Sequence, residues 1–259
     1  GGGRGGGGMV SWHPARAKPT ALVTCAQQKG REVSPAPPRR SPCALEAKST
    51  ICDVGAVACL RAKGADMAVS LAAATAALEG GLRAVEITMD TPGALEIIHE
   101  LASRYPDAVI GAGTVLSRAH LDGAIAAGAK LIMSPVLDEA LVAHAAEHGL
   151  LSVPGVMTPT EAVRAMEAGA GMVKLFPADA AGGVGLVRAM QGPLPHIPLV
   201  PSHHIDLAAA RAYFQAGAPA VVLSGAVFDP RALADQDFQA IRVLADGAAR
   251  YLAALREEG

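Results

Sequence analysis

The chain has 259 residues, a length that fits one large domain or two small ones. Hydrophobic residues make up 51% of the chain and charged residues 18%, so it can bury a large core and is not disordered throughout. Aromatic residues are only 3% and the net charge is −2, which argues against nucleic-acid partners. Apolar runs all stay shorter than the roughly 18 residues of a membrane-spanning helix, so no membrane association is expected.

The cysteines are few and lie early in the chain, at Cys25, Cys43, Cys52 and Cys59. None forms a C-x-x-C pair, so the sequence predicts neither a zinc site nor a disulfide framework. This usage is typical of a reducing compartment.

Residues 1–48 differ from the rest of the chain in charge. They hold eight Lys or Arg against two acidic residues, a charge of +6, whereas residues 49–259 carry −8. The segment is rich in Gly and Pro and lacks apolar periodicity, so we expect a disordered basic extension ahead of a folded domain at 49–259. A basic, acid-poor N-terminus is typical of a transit peptide, which predicts a chloroplast (plastid stroma) location. A plain disordered tail on a cytoplasmic protein is the alternative.

Short apolar runs recur about every 20 to 28 residues from position 56 onward. Each has the length of a strand buried on both faces. The runs are 56–61, 84–89, 108–113, 131–135, 151–155, 172–177, 198–203 and 220–225.

Ala-rich stretches of helical character separate these runs. A terminal Gly marks the end of one helix at 66–81, Thr-Pro marks the start of another at 91–105, and Thr158 with Glu161 forms a capping box for a third. Eight alternations of strand and helix predict an α/β fold of the (β/α)8 TIM-barrel type. An open doubly wound sheet is the structural alternative.

Two charged residues stand inside apolar strands, Lys174 in MVKLFP and Glu86 in AVEITM. Strand alternation places Met172, Lys174 and Phe176 on one face. If that face is the barrel interior, burial favours the neutral amine of the lysine, and a neutral amine can attack a ketone to form a Schiff base.

Glu86 lies on the second strand and Lys174 on the sixth. These strands stand opposite each other in an eight-stranded barrel, and even-numbered strands contribute to the same interior layer. The two groups are therefore expected to meet near the carboxyl ends of the strands. This pattern indicates an imine-forming lysine with a carboxylate proton shuttle. A purely structural buried ion pair is the alternative.

Several longer segments, in order, carry a family pattern: GGLRAVEIT, GAGTVL, SPVLDEALV, PGVMTPTEAVRAMEAGA, VKLFPADAAGGVG and QGPLPHIPLVPS. Over residues 51–230 the chain resembles the 2-keto-3-deoxy-6-phosphogluconate (KDPG) and 4-hydroxy-2-oxoglutarate (KHG) aldolases, and most closely their plant-type plastid branch. The resemblance implies a class I carbon–carbon lyase of the Entner–Doudoroff type. Such an enzyme releases pyruvate from a 2-keto acid without metal or cofactor, and family members are commonly homotrimers.

The resemblance also implies site residues. Lys174 matches the Schiff-base lysine and Glu86 the general acid/base. The substrate-binding positions are Arg61, Thr114, Pro135, Phe176 and Ser202.

The chain departs from the family pattern at three anion-binding sites, which involve four residues. Asp90 stands where an arginine grips the pyruvyl carboxylate, His203 and His204 replace two glycines of the phosphate loop, and Ala226 replaces a later serine. We therefore expect weak activity on the phosphorylated six-carbon substrate and a preference for an unphosphorylated 2-keto acid. The departures also leave open a barrel that binds a small metabolite without turnover. Another phosphate-binding barrel enzyme, an isomerase or synthase, would need a glycine-rich loop that the sequence lacks.

The sequence assigns no catalytic or metal-binding role to the histidines. Because neighbouring strand residues face opposite sides, His203 and His204 are predicted to form a polar loop rather than a metal site. The histidines of the tail and of the helical segments, His144 among them, are predicted to be surface residues.

Overall fold

The computed structural model describes residues 1–3 and 41–257. Its helices and strands all belong to one unit. The strands are β1 (Ala56–Leu60), β2 (Ala84–Thr88), β3 (Val109–Gly113), β4 (Leu131–Met133), β5 (Leu151–Val153), β6 (Gly155–Val156), β7 (Val173–Leu175), β8 (Leu199–Pro201) and β9 (Val221–Leu223). The helices are α1 (Pro42–Val54), α2 (Met67–Glu79), α3 (Ala94–Arg104), α4 (Arg118–Ala126), α5 (Glu139–Glu147), α6 (Pro159–Glu167), α7 (Gly183–Gln191), α8 (Leu207–Gln215), α9 (Pro230–Ala234) and α10 (Phe238–Glu257).

All the strand pairs are parallel, and the order is sequential. One sheet runs β5-β4-β3-β2-β1-β9 and the other β6-β7-β8. Each of the eight predicted runs contains a strand, but the fifth is divided at Pro154, which has no N–H for the ladder. The chain thus forms an α/β fold with a curled parallel sheet.

Side chains alternate along each strand between two apolar layers. Odd-numbered residues of β1 such as Val57 lie in an inner cluster with Met133, Met172 and Val200. Residues of the other parity, such as Ala58, pack outward against the helices. The inner cluster therefore fills the concave side of the sheet, and the parity of a residue decides whether it faces that interior.

Helix α1 crosses the predicted domain boundary at residue 48. Ser41 caps it, with Oγ accepting from the Ala44 N–H at 3.1 Å and donating to the Gly149 carbonyl at 2.6 Å. Ala44, Ala47 and Ile51 are buried in the inner cluster beneath the amino ends of the strands. The folded part thus includes residues 41–48, which were expected in the disordered tail. The rest of the predicted transit peptide, residues 4–40, lies outside the described residues.

The predicted helix signals are confirmed with one shift. The capping box at Thr158 and Glu161 is complete at the start of α6. The helix expected from Thr91 begins at Ala94, because the Thr91 hydroxyl accepts from the Ala62 N–H instead. Within the described residues, no helix combines the length and hydrophobicity needed to cross a membrane.

Candidate active site

Lys174 and Glu86 meet inside the fold, as the sequence predicts. Lys174 lies on β7 and Glu86 on β2, both with the parity that faces the inner cluster. Their residues are 7% and 0% exposed, and Nζ of Lys174 is 3.9 Å from Oε1 of Glu86. This separation is longer than a hydrogen bond, and among the described residues only the weakly donating Cys59 thiol hydrogen-bonds to the Glu86 carboxylate. Both groups therefore keep hydrogen-bonding capacity for a third, reacting molecule.

The backbone of β3 and a thiol from β1 confine the Glu86 carboxylate. A Cβ at Gly113 would lie 2.5 Å from Oε2 of Glu86, so only glycine leaves room for the carboxylate there. Cys59 is the Cα partner of Glu86 across the β1–β2 ladder. Burial, and then the charge of Glu86, raise the pKa of the Cys59 thiol well above its usual range. The neighbour of the carboxylate is thus an uncharged thiol.

Phe176 forms one wall of the site. Its ring centroid lies 5.2 Å from Nζ of Lys174, and its edge meets the ring of His203 with centroids 5.7 Å apart. Phe176 therefore links the buried lysine to the loop that follows β8.

Arg61 lies at the carboxyl edge, where β1 ends. Its guanidinium donates to Oγ1 of Thr114 at 2.8 Å and to Oδ2 of Asp90, and Nζ of Lys63 lies 3.0 Å from the same Asp90 oxygen. Burial acts to raise the pKa of Asp90, but hydrogen bonds from Thr88 and Lys63 and the charge of Arg61 outweigh it and lower that pKa. Two cations therefore surround the one anion.

This arrangement corrects an expectation about Asp90. The sequence suggested a negative charge opposed to an anionic substrate, but the carboxylate is engaged by Arg61 and Lys63. The cluster retains a net positive charge, with Arg61 held beside Thr114. An arginine is thus still present at the carboxyl edge of the sheet, but it is Arg61, which follows β1, rather than a residue that follows β2.

The loop after β8 brings His203 and His204 to the same side, so the expectation of opposite sides is wrong. Both residues have positive φ, 92° and 50°, because they lie beyond the strand in a left-handed turn. Their Nδ1 atoms are 2.8 and 3.2 Å from the two carboxylate oxygens of Asp179. The hydrogen bond from His203, supported by those from Ala180 and His204, lowers the pKa of Asp179 to about 2.

Pro135 and Ser202 lie at the same edge, following β4 and β8. The Ser202 N–H donates to the Leu175 carbonyl at 3.0 Å, directly after Lys174. The Pro135 carbonyl packs against Gly155, which is the Cα partner of Lys174. In the described part of the chain neither side chain is hydrogen-bonded to the lysine–glutamate pair.

Sequence reasoning missed three functional or buried groups. Cys59 has inward parity, a signal that could have placed it beside Glu86. Asp179 carries no local signal, since only the fold brings it to the histidines. The prediction for His144 is wrong, because it is 8% exposed and its Nε2 lies 2.9 Å from Oδ1 of Asp122.

A buried amine beside a carboxylate, at the carboxyl edge of a curled parallel sheet, is the arrangement that an aldolase-type site requires. Comparison with known proteins identifies the branch: the KDPG and KHG aldolase model matches residues 47–244. The chain belongs to that family.

Individual relatives agree with this assignment. The 2-dehydro-3-deoxy-phosphogluconate aldolase of Pseudoalteromonas atlantica is 38% identical over 51% of this chain and 62% of its own length. The aldolase of the same description from Dickeya dadantii is 36% identical over 66% of this chain and 81% of its own length. Among solved structures, the 2-keto-3-deoxy-6-phosphogluconate aldolase of Zymomonas mobilis superposes with a TM-score of 0.70 at 29% identity, covering 79% of this chain and 97% of that one. The match to the Pseudoalteromonas enzyme thus spans about three fifths of its length.

Proposed function

We propose that the protein is a class I aldolase that cleaves a KDPG-like 2-keto-3-deoxy sugar acid to pyruvate and an aldehyde such as glyceraldehyde 3-phosphate. The observation that carries the proposal is the buried pair itself, with Nζ of Lys174 3.9 Å from Oε1 of Glu86. An amine in an apolar wall is a nucleophile for a ketone, and a carboxylate within reach can move the protons.

The reaction begins with attack of the Lys174 amine on the C2 carbonyl of the substrate. A C–N bond forms, and the carbonyl oxygen leaves as water to give a protonated imine. Glu86 then accepts the proton of the C4 hydroxyl while the C3–C4 bond breaks, and the electron pair moves into the iminium. The aldehyde departs and an enamine stays on Lys174.

The second half restores the enzyme. The enamine carbon C3 takes a proton from Glu86, which returns the carboxylate to its starting form. Water then adds to C2 and the C–N bond breaks, releasing pyruvate and the free amine. The water lost in imine formation is regained here, so the overall reaction splits one keto acid into pyruvate and an aldehyde.

The surrounding residues bind the substrate in this scheme. Arg61 and Thr114 form the anion site for the keto-acid carboxylate, because a guanidinium and a hydroxyl converge there at 2.8 Å from each other. Phe176 covers the imine carbon from the side. Pro135 and Ser202 shape the rim at which the distal end of the substrate leaves the pocket.

We also propose that the curled sheet closes into the (β/α)8 barrel. Two observations support closure: β1 pairs with the last strand, β9, and the β6–β8 sheet continues from β5 across the single residue Pro154. A ring of this kind places Lys174 and Glu86 on opposite walls at one depth.

We also propose that the protein is a homotrimer. We further propose that it is imported into a plastid, with the cytoplasm as the alternative location. Exposed apolar side chains follow three strands, Leu116 after β3, Val136 after β4 and Met157 after β6, and such residues suit a subunit contact. Light scattering tests the first property, and a reporter fused behind residues 1–40 tests the second. A monomer, or a uniformly cytosolic reporter, would overturn the respective property.

Borohydride reduction in the presence of pyruvate tests the lysine directly. We expect a covalent adduct on Lys174, located by peptide mass spectrometry, and none in Lys174→Ala. Lys130→Arg is the matched control, since Lys130 donates to the Pro106 and Ala108 carbonyls away from the site. Persistent labelling of Lys174→Ala at the wild-type level would refute the assignment.

The competing function is a barrel that binds a 2-keto acid without cleaving it, which the changed anion-binding positions favour. Pyruvate formation from 2-keto-3-deoxy acids separates the two. A folded protein that forms neither adduct nor pyruvate would support the binding function and reject the lyase.

A further inference from the structure

We propose that Asp179, His203 and His204 form a binding site for a divalent transition-metal ion such as Zn²⁺ at the mouth of the aldolase pocket. One carboxylate and two imidazoles are a ligand set that zinc accepts, with open positions left for water or an anionic ligand. The family resemblance implies neither a metal nor a cofactor, so the proposed site depends on Asp179, His203 and His204 of this chain.

The geometry matches a coordination site. The ligand atoms of the three side chains all lie within 4.8 Å of one another, with Nδ1–carboxylate separations of 2.8 and 3.2 Å. Zinc bonds to nitrogen and oxygen are about 2.0–2.1 Å, which sets neighbouring tetrahedral ligands about 3.3 Å apart. An ion therefore fits between these atoms after small side-chain rotations.

The backbone conformation explains how two adjacent histidines both reach the carboxylate of Asp179. In an extended strand their side chains would diverge, but φ of 92° and 50° turns both to one side, with ring centroids 3.7 Å apart. Left-handed conformations cost a non-glycine residue of order 1–3 kcal/mol and persist where the surroundings require them. Convergence on Asp179 is the evident gain of this turn.

The position gives the ion a role in the proposed aldolase, and this role rests on that function. The ring of His203 touches Phe176, which in turn lies over Lys174, so the ion would stand at the outer end of the pocket. A bound Zn²⁺ would supply the positive charge for a phosphate or carboxylate at the distal end of the substrate.

A second cluster, His144, Glu147 and His148, is a poorer candidate. Nε2 of His144 is engaged by Asp122 at 2.9 Å, and Nδ1 of His148, the residue that follows α5, lies 3.0 Å from the carbonyl of His144. This cluster therefore supplies the control variant, His148→Ala.

Metal binding is measured on the full chain by titration with Zn²⁺ and with Co²⁺, whose visible absorption reports the ligand geometry. The test variant is His203→Gly/His204→Gly, because glycine accepts positive φ and the loop keeps its shape. We expect the variant to lose one equivalent of bound ion, or to bind it at least about tenfold more weakly, a change of about 1.4 kcal/mol. His148→Ala should bind like the wild type. Equal binding by wild type and the double-glycine variant would overturn the site.

The role of the ion is tested separately. Adding Zn²⁺ should lower KM for a phosphorylated substrate in the wild type and not in the double-glycine variant. The yield of the pyruvate adduct on Lys174 should be the same in both, because pyruvate lacks the distal group. Bound zinc without any effect on KM would overturn the role, whereas loss of the adduct in both proteins would point to failure of the aldolase proposal instead.

Discussion

Replacing Gly113 with alanine is expected to displace the Glu86 carboxylate without substituting either member of the proposed catalytic pair. The added Cβ would lie 2.5 Å from Oε2 and 2.9 Å from Cδ of Glu86, and 3.3 Å from Cγ2 of Thr88. An ordinary contact begins near 3.4 Å, so the carboxylate must retreat by about 0.9 Å. Gly113 does not have positive φ, so the backbone itself accepts alanine without strain.

The size of the effect follows from the displacement. A misplacement of about 1 Å in a reacting group costs about 10²-fold in rate, and a general acid/base contributes about 10²–10⁴-fold in all. We therefore expect kcat of Gly113→Ala to fall by about 10²-fold, approaching the loss expected for Glu86→Gln. The amine of Lys174 is unchanged, so the imine should still form.

The assay follows pyruvate release with a coupled dehydrogenase, alongside borohydride trapping and thermal unfolding. Gly185→Ala in α7 is the matched control, because a Cβ there meets no atom within 4 Å. It should keep full activity and gain about 0.5–1 kcal/mol in stability, since alanine favours a helix. Wild-type turnover by Gly113→Ala would refute the argument that the position of the Glu86 carboxylate limits the rate.

Four further outcomes are expected. Arg61→Ala should raise KM for 2-keto acids by about 10–100-fold with a smaller change in kcat, because a charge-assisted hydrogen bond contributes about 1.5–3 kcal/mol. An unchanged KM in steady-state assays would exclude Arg61 from the anion site. Ile51→Ala should lower the free energy of unfolding in urea by about 2–5 kcal/mol, and a neutral result would show that α1 does not close the fold. Hydrogen bonds from Met157 and Thr158 lower the pKa of Glu161. The stabilisation from this cap is therefore complete above about pH 4.3 and is lost as the pH falls through the lowered pKa. Glu161→Gln should flatten this pH dependence of the free energy of unfolding, and a profile identical to that of the wild type would contradict the argument. Burial raises the pKa of Cys59, so iodoacetamide should label the exposed Cys43 and spare Cys59 in the native protein, as peptide mass spectrometry would show.

The strand pattern and the reactive pair were accessible from the sequence because both depend on local parity. Apolar runs of fixed length indicate strands buried on both faces, and one charged residue inside such a run stands out. Alternation then places Lys174 with Met172 on the inner face, which the structure confirms. The capping box of α6 was equally visible, since its two residues lie three positions apart.

The remaining features depend on contacts between distant segments. The start of helix α1 was assigned to the disordered tail because its small buried side chains, Ala44 and Ala47, give only a weak hydrophobic pattern. The pairing of Asp90 with Arg61 joins residues 29 positions apart, and Asp179 reaches His203 across 24. The shared side of the two histidines depends on positive φ, which non-glycine residues adopt too rarely for the sequence to predict it here.

Because β1 pairs with β9, one edge of β1 stays unpaired until the last strand has been synthesised. One edge of β1 is covered by β2 soon after it emerges, but the other must wait for Val221, which pairs with Ala56. At about 5–20 residues per second, the ribosome needs roughly 10–30 s to deliver the residues between them. During that interval the nascent chain presents a row of unpaired N–H and C=O groups along an apolar strand, the kind of edge that recruits strands from other chains. Protection of that edge by a chaperone is thus most valuable before the last strand has left the ribosome.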